Sequence, residues 1–306
     1  MIWIISGILA AVAAYVLHYG YKLAFYYEDP LAGPLEYTDD DQTRACKEVW
    51  DKAIAEFEAA PFEEVSIRSH DGLQLYARYY HTADGAPLQI HCHGYKGNAI
   101  RDFCGTWKIA MESGHNVLLI DQRCHGKSQG HTITFGIRER KDALSWVRYA
   151  TDRFGPVPIV LCGVSMGAAT VLMASGLELP GNVKGVIADC PYDAPSNIIR
   201  KVLGQDMGMP VKLVYPLIRF GGMVYGKFNL DADSPVEAVK KTRLPILLIH
   251  GDDDRFVPYE MSCRIHAAAP DRITFHTVPG AGHALNYAKD PEGYAQTVRA
   301  FLNKIL

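Results

Sequence analysis

Val157-Pro158-Ile159-Val160-Leu161-Cys162-Gly163-Val164-Ser165-Met166-Gly167-Ala168-Ala169-Thr170-Val171-Leu172-Met173-Ala174 joins an apolar, strand-like run to a small-residue, helix-like run through the pattern G-x-S-x-G. A strand that reverses into a helix within so few residues strains the backbone of the central serine. Glycines on either side, lacking Cβ, let the two segments pass closely. Such a turn lifts the serine Oγ clear of the sheet and aims the next backbone N–H into the same space. The competing reading makes Ser165 a simple helix N-cap. The rest of the chain decides between them.

Two more strand-like runs lie downstream. Leu244-Pro245-Ile246-Leu247-Leu248-Ile249 ends in His250-Gly251-Asp252-Asp253-Asp254-Arg255-Phe256-Val257-Pro258, and Ile273-Thr274-Phe275-His276-Thr277-Val278 is followed by Pro279-Gly280-Ala281-Gly282-His283. An acid after one strand and a histidine after the next give the order Ser, Asp, His. In these motifs the chain resembles the alpha/beta-hydrolase superfamily, from about Phe62 to its C-terminus. The resemblance implies an α/β fold with a mostly parallel central sheet and helices on both faces. It also implies Ser165 as nucleophile, His283 as base and an aspartate as acid. That chemistry needs a histidine to take the Oγ proton and a carboxylate to hold its tautomer and stabilise the imidazolium. The family's pattern H-G-x-x-D-x-x-V-P puts the acid at Asp254, with Asp252 as the alternative in a run of three.

Leu88-Gln89-Ile90-His91-Cys92-His93-Gly94-Tyr95 is another strand-like run, ending in His-Gly. In the family the residue after that glycine offers its backbone N–H to the tetrahedral oxyanion. Tyr95 N–H is therefore one expected donor and Met166 N–H the other, each contributing about 3 kcal/mol. His91 and His93 share a strand face and could ligate a metal, but no second ligand cluster supports them, so no metal is expected. Asp121-Gln122-Arg123-Cys124-His125-Gly126-Lys127-Ser128 resembles the family's D-x-R-x-H-G-x-S loop, which implies structural roles for Asp121 and Arg123. No G-x-G-x-x-G opens a helix after the first strand, and no cofactor is expected.

With 306 residues, 48% hydrophobic and 21% charged, the chain reads as one sizeable globular domain with appendages. A formal net charge of -3 argues against nucleic acid as a partner. Strand-like and helix-like runs alternate from residue 87 onward, as in a parallel sheet with crossover helices. Val65-Ser66-Ile67 and the run from Leu73 to Tyr80, joined by His70-Asp71-Gly72, predict an antiparallel hairpin at one edge. Roughly fifty residues separate Asp189 from Leu244, far more than a crossover needs. A lid is expected there, at about 193–240.

Residues 1–27 read differently from the hydrolase domain at 62–306, with 28–61 as a linker and an acidic amphipathic helix. Ile2 to Leu17 is almost wholly apolar, and no charged side chain precedes Lys22. Tyr19, Tyr21, Phe25, Tyr26 and Tyr27 then resemble an interfacial belt. A single N-terminal transmembrane helix is expected, anchoring the protein in a membrane. A signal peptide cleaved near Ala11-Val12-Ala13 is the alternative. The seven cysteines are an odd number, and several fall in core strands, which argues against a disulfide scaffold. Removal of residues 1–27 is expected to leave a working hydrolase.

These features predict a membrane-tethered serine hydrolase that forms an acyl-enzyme on Ser165. A small-molecule ester, or a lipid, is the expected substrate, since esters have better leaving groups than amides and the resemblance implies a carboxylesterase-like enzyme. A membrane-bound serine peptidase or amidase is the second reading. A non-catalytic binding protein on the same fold is the third.

Overall fold

β1 (Glu63–Arg68) and β2 (Gln74–Tyr80) form the expected hairpin, with Val65 opposite Ala77 and Ile67 opposite Leu75. β2 also runs antiparallel to β4 (Asn116–Asp121). Every other pairing is parallel, through β3 (Leu88–Cys92), β5 (Ile159–Val164), β6 (Val183–Asp189), β7 (Ile246–Gly251) and β8 (Ile273–Val278). The sheet order is β1-β2-β4-β3-β5-β6-β7-β8. These features belong to a computed structural model that describes residues 2–28, 41–97 and 99–306. Most of the expected linker, including Pro30, Pro34, Asp39 and Asp40, lies outside the described residues.

β3, β5 and β7 are buried at every position, because helices cover both faces of the parallel part of the sheet. The period of two sorts their side chains: Ile159 and Leu161 enter one core, Val160 and Cys162 the other. The helices are α1 (Ile2–Ala24), α2 (Asp41–Glu58), α3 (Ala99–Glu112), α4 (Glu139–Phe154), α5 (Met166–Ser175) and α6 (Pro195–Lys201). They continue as α7 (Val211–Val224), α8 (Pro235–Lys241), α9 (Tyr259–Ala268), α10 (Asn286–Lys289) and α11 (Pro291–Ile305). α4, α5, α8 and α9 supply the first core, and α11 the second. α3 lies on the same side as α11 and carries α2 on its outer surface.

The helix expected in residues 28–61 is α2. Its buried residues Thr43, Cys46, Trp50, Ala53, Ile54 and Phe57 recur every three or four positions and form one stripe. Phe57 is fully buried and stacks on Trp107 of α3, with ring centroids 4.5 Å apart. Phe57→Ala should therefore lower the unfolding free energy by about 3–5 kcal/mol. Urea midpoints check this; a loss below about 1 kcal/mol would show that α2 does not share the fold's core.

The expected N-terminal transmembrane helix is not found. Among the described residues no helix is long and apolar enough to cross a membrane, which overturns both the anchor and the membrane placement that rested on it. The aromatic residues read as an interfacial belt have other partners. Phe25 is fully buried, edge-on to Phe228 at 5.0 Å and to Phe135 at 6.0 Å. Tyr21 shares a hydrogen bond with Thr132 Oγ1 at 2.6 Å, and Tyr26 stacks on His131. Composition alone cannot separate an aromatic belt from an aromatic packing seam, and here the seam wins.

Between β6 and β7 the long insertion is helical. α6 runs into a π-helical turn at Val202–Asp206, then α7 and α8. Leu203, Tyr215 and Ile218 are buried there with Tyr21, Phe25 and Met166, so the insertion and the end of α1 share one apolar cluster over the carboxyl ends of the strands.

Candidate active site

Ser165 sits between β5 and α5 at φ +54° and ψ -117°, a conformation L-residues rarely adopt. The flanking glycines are a steric necessity. A Cβ on Gly163 would lie 2.3 Å from the Gly167 carbonyl oxygen, and one on Gly167 would lie 1.7 Å from that of Cys92. The Ser165 N–H donates to Asp189 O at 2.8 Å, which fastens the turn to the end of β6.

Asp254 follows β7, and His283 lies in the loop after β8. His283 Nδ1 is 2.7 Å from Asp254 Oδ2, and its Nε2 is 2.9 Å from Ser165 Oγ. The carboxylate only accepts, so Nδ1 carries the proton and Nε2 is left to accept from the serine hydroxyl. Asp254 Oδ1 accepts from the N–H groups of Phe256 at 2.9 Å and Val257 at 2.8 Å. Its neighbours turn elsewhere: Asp252 Oδ1 accepts from Gly280 N–H, and Asp253 binds Gln42 and Arg255. Of the three consecutive aspartates, it is therefore Asp254 that meets His283.

A second histidine completes this cluster and was not singled out in the sequence. His250 is fully buried, with Nε2 3.1 Å from Asp254 Oδ2 and 3.0 Å from Val257 O. Both partners accept, so Nε2 is protonated, and Nδ1 accepts from Ser262 Oγ at 2.6 Å. Its place in the H-G-x-x-D motif was a signal, but only the three-dimensional fold shows that its ring returns to the acid. Burial opposes ionisation of Asp254. The charge of His283 and the hydrogen bonds from His250 and His283 outweigh it and hold the carboxyl well below the usual carboxylate range. Burial disfavours the His283 imidazolium, but the adjacent Asp254 carboxylate outweighs that and raises the histidine above its ordinary 6.5.

Of the two expected oxyanion donors, Met166 directly follows the serine and Tyr95 lines the same cavity. Met166 is the first residue of α5, where backbone N–H groups lack intrahelical acceptors and the helix dipole favours negative charge. Tyr95 follows Gly94, whose own N–H is taken by Asp102 Oδ2 at 2.7 Å. Asp102, from the first turn of α3, thereby shapes the turn that carries Tyr95; nothing in the local sequence pattern marked it. The Tyr95 side chain is held too, its hydroxyl donating to Ala24 O at 3.1 Å and its ring stacked on Phe135. Burial pushes its phenol up to about 12.

Above Ser165 opens an apolar cavity of about 270 Å³. Ser165 and Met166 form its floor, the insertion supplies Ile198, Val202, Leu203 and Ile218, and Leu23 and Ala24 of α1 close another side. The histidines considered as metal ligands have ordinary partners. His91 Nε2 meets Gln89 Oε1 at 3.0 Å, and burial lowers its ring to about 3, while His93 Nδ1 donates to Gly94 O. Arg123 is buried between Asp142 and Asp71, bonding both carboxylates, and so ties the hairpin turn to α4. The cysteines are free thiols, six of them buried.

The alpha/beta hydrolase family is matched over residues 90–297. The uncharacterized protein YqkD of Bacillus subtilis is 28% identical over 231 residues, covering 74% of this chain and 75% of the relative. Protein ABHD12B of Homo sapiens is 29% identical over 259 residues, covering 78% and 67%. Among solved structures, the Pyrococcus furiosus esterase Pf2001 superposes with a TM-score of 0.64 at 19% identity, over 91% of this chain and 99% of that one. Est1E from Butyrivibrio proteoclasticus, solved with ferulic acid bound, gives 0.62 at 23% identity, over 79% and 98%.

Proposed function

The chain belongs to the alpha/beta hydrolase family, and from that premise we propose that it is a serine hydrolase cleaving carboxylic esters through an acyl-enzyme on Ser165. Ser165 Oγ attacks the ester carbonyl while His283 Nε2 takes its proton, and the imidazolium is stabilised by Asp254. The N–H groups of Tyr95 and Met166 receive the charge that develops on the carbonyl oxygen. As the C–O bond breaks, His283 gives the proton to the leaving alkoxide. A water then enters, loses a proton to His283, and attacks the acyl carbon; collapse frees the acid and expels Ser165 Oγ, which takes that proton back from His283. The reading is supported above all by the unbroken contacts from Asp254 through His283 to Ser165. The helical insertion at about 193–240 serves in this reading as the lid over the acyl group.

A panel of p-nitrophenyl esters and aminoacyl-anilides tests the substrate class. Turnover of esters is the expected result; turnover confined to anilides would replace the ester reading with a peptidase one. The pH dependence carries a further expectation. Activity needs neutral His283, whose pKa is raised, so kcat/KM should be full above that pKa and fall as pH drops through it. The acid limb should thus have its midpoint above 6.5. A midpoint well below that value would show that Asp254 does not act on the base.

A further inference from the structure

The C-terminal end of α1 is built into the cavity above Ser165. Leu23 and Ala24 line it, and the Ala24 carbonyl accepts from the hydroxyl of Tyr95 at 3.1 Å. The residues that follow are stitched to a distant loop. Ile133 N–H donates to Phe25 O at 2.8 Å, Tyr27 N–H donates to His131 O at 3.0 Å, and Tyr26 forms a β-bridge with Thr132. On the other side α1 meets α7 at backbone distance: a Cβ on Gly221 would lie 2.6 Å from Leu17 O. A segment tied at so many points to the loop, the oxyanion turn and the insertion is a fixed part of the cavity wall.

We propose that this end of α1 is the wall that selects acyl-chain length, with Leu23 as the residue a growing chain must pass. The inference rests on the ester-hydrolase reading and adds the class of substrate, esters of medium-chain acyl groups. Three observations carry it. The cavity holds the volume of about nine water molecules, comparable to an acyl chain of moderate length and far below that of a long fatty chain. Apart from Ser165 and two tyrosines its lining residues are all apolar, so each methylene buried there raises kcat/KM roughly fourfold until the space is full. Leu23 is 38% exposed while also lining the cavity, which places it where the cavity opens to solvent.

The test uses the full chain with Leu23→Trp and Leu23→Ala, assayed on p-nitrophenyl esters from acetate to palmitate. For the unaltered protein kcat/KM should rise from acetate to a maximum near hexanoate or octanoate and then fall. In Leu23→Trp the octanoate-to-acetate ratio of kcat/KM should drop at least tenfold, and in Leu23→Ala the maximum should move to longer chains. Profiles that superimpose on the original, or fall by the same factor at every length, would overturn the proposal. Inactivation rates with ethyl and octyl fluorophosphonates read the same selectivity without ester turnover. Selective loss of the octyl reaction in Leu23→Trp, with no ester hydrolysed by either protein, would sink the ester reading and leave the wall standing.

Discussion

Ser165→Ala should abolish ester turnover, with kcat reduced about a millionfold, while the protein stays folded. The size of the loss follows from the position of the hydroxyl. Ser165 Oγ is the atom His283 Nε2 faces, at 2.9 Å, on the floor of the cavity. Stability should hardly change, because the substitution removes one partly buried hydrogen bond worth about 1 kcal/mol. A shift of a few degrees in Tm is the most that such a loss causes in a chain of this size. Ser165→Gly should be equally inactive yet more stable than Ser165→Ala, since at φ +54° alanine keeps the strain of a side chain and glycine does not. Assays of both variants alongside thermal melts separate the two effects. Residual activity above about a hundredth of the original would remove Ser165 from the nucleophile's role.

Asp254→Asn should lower kcat about ten-thousandfold. With its amide oxygen kept on the Phe256 and Val257 N–H groups, the substituted side chain would turn its NH2 toward His283 Nδ1. His283 would then protonate at Nε2, the nitrogen that must accept from Ser165. The same NH2 would oppose the His250 Nε2–H, so some stability should be lost as well. The acid limb of the pH profile should move down, because the carboxylate that raises His283 is gone. Asp252→Asn should be mild by comparison, as its carboxylate is exposed and accepts from Gly280 N–H. Comparable losses at the two positions would contradict the division of labour among the three aspartates.

The G-x-S-x-G turn, the hairpin and the alternation of strands with helices were legible because each is a local pattern with a steric or periodic cause. Gly163 and Gly167 stand where a Cβ would strike backbone, and that necessity shows in the pentapeptide itself. The run of three aspartates was not resolved by local chemistry; hydrogen bonds formed across about thirty residues separate them. His250 and Asp102 differ from it in having partners nearby in the chain, Asp254 four residues on and Gly94 eight residues back; what hides them is the path of each turn, which brings the ring or carboxylate back to its partner. The N-terminal segment misled more seriously. Apolar and aromatic residues in a row suit lipid and protein interiors equally. What decides is the presence of Phe135, Phe228 and Thr132, which lie more than a hundred positions away and give the segment a protein partner. α2 stood between these extremes: its stripe was readable, but the surface of α3 that receives it was not.

Whether Ser165 carries the acyl group can be read with a fluorophosphonate probe, which reacts with an activated serine. After reaction with the full chain, intact-mass and peptide-mapping spectra should show one adduct, on the peptide containing Ser165, that is lost in Ser165→Ala and strongly slowed in Asp254→Asn. An adduct on another residue, or no adduct from a protein that still hydrolyses esters, would contradict that role for Ser165.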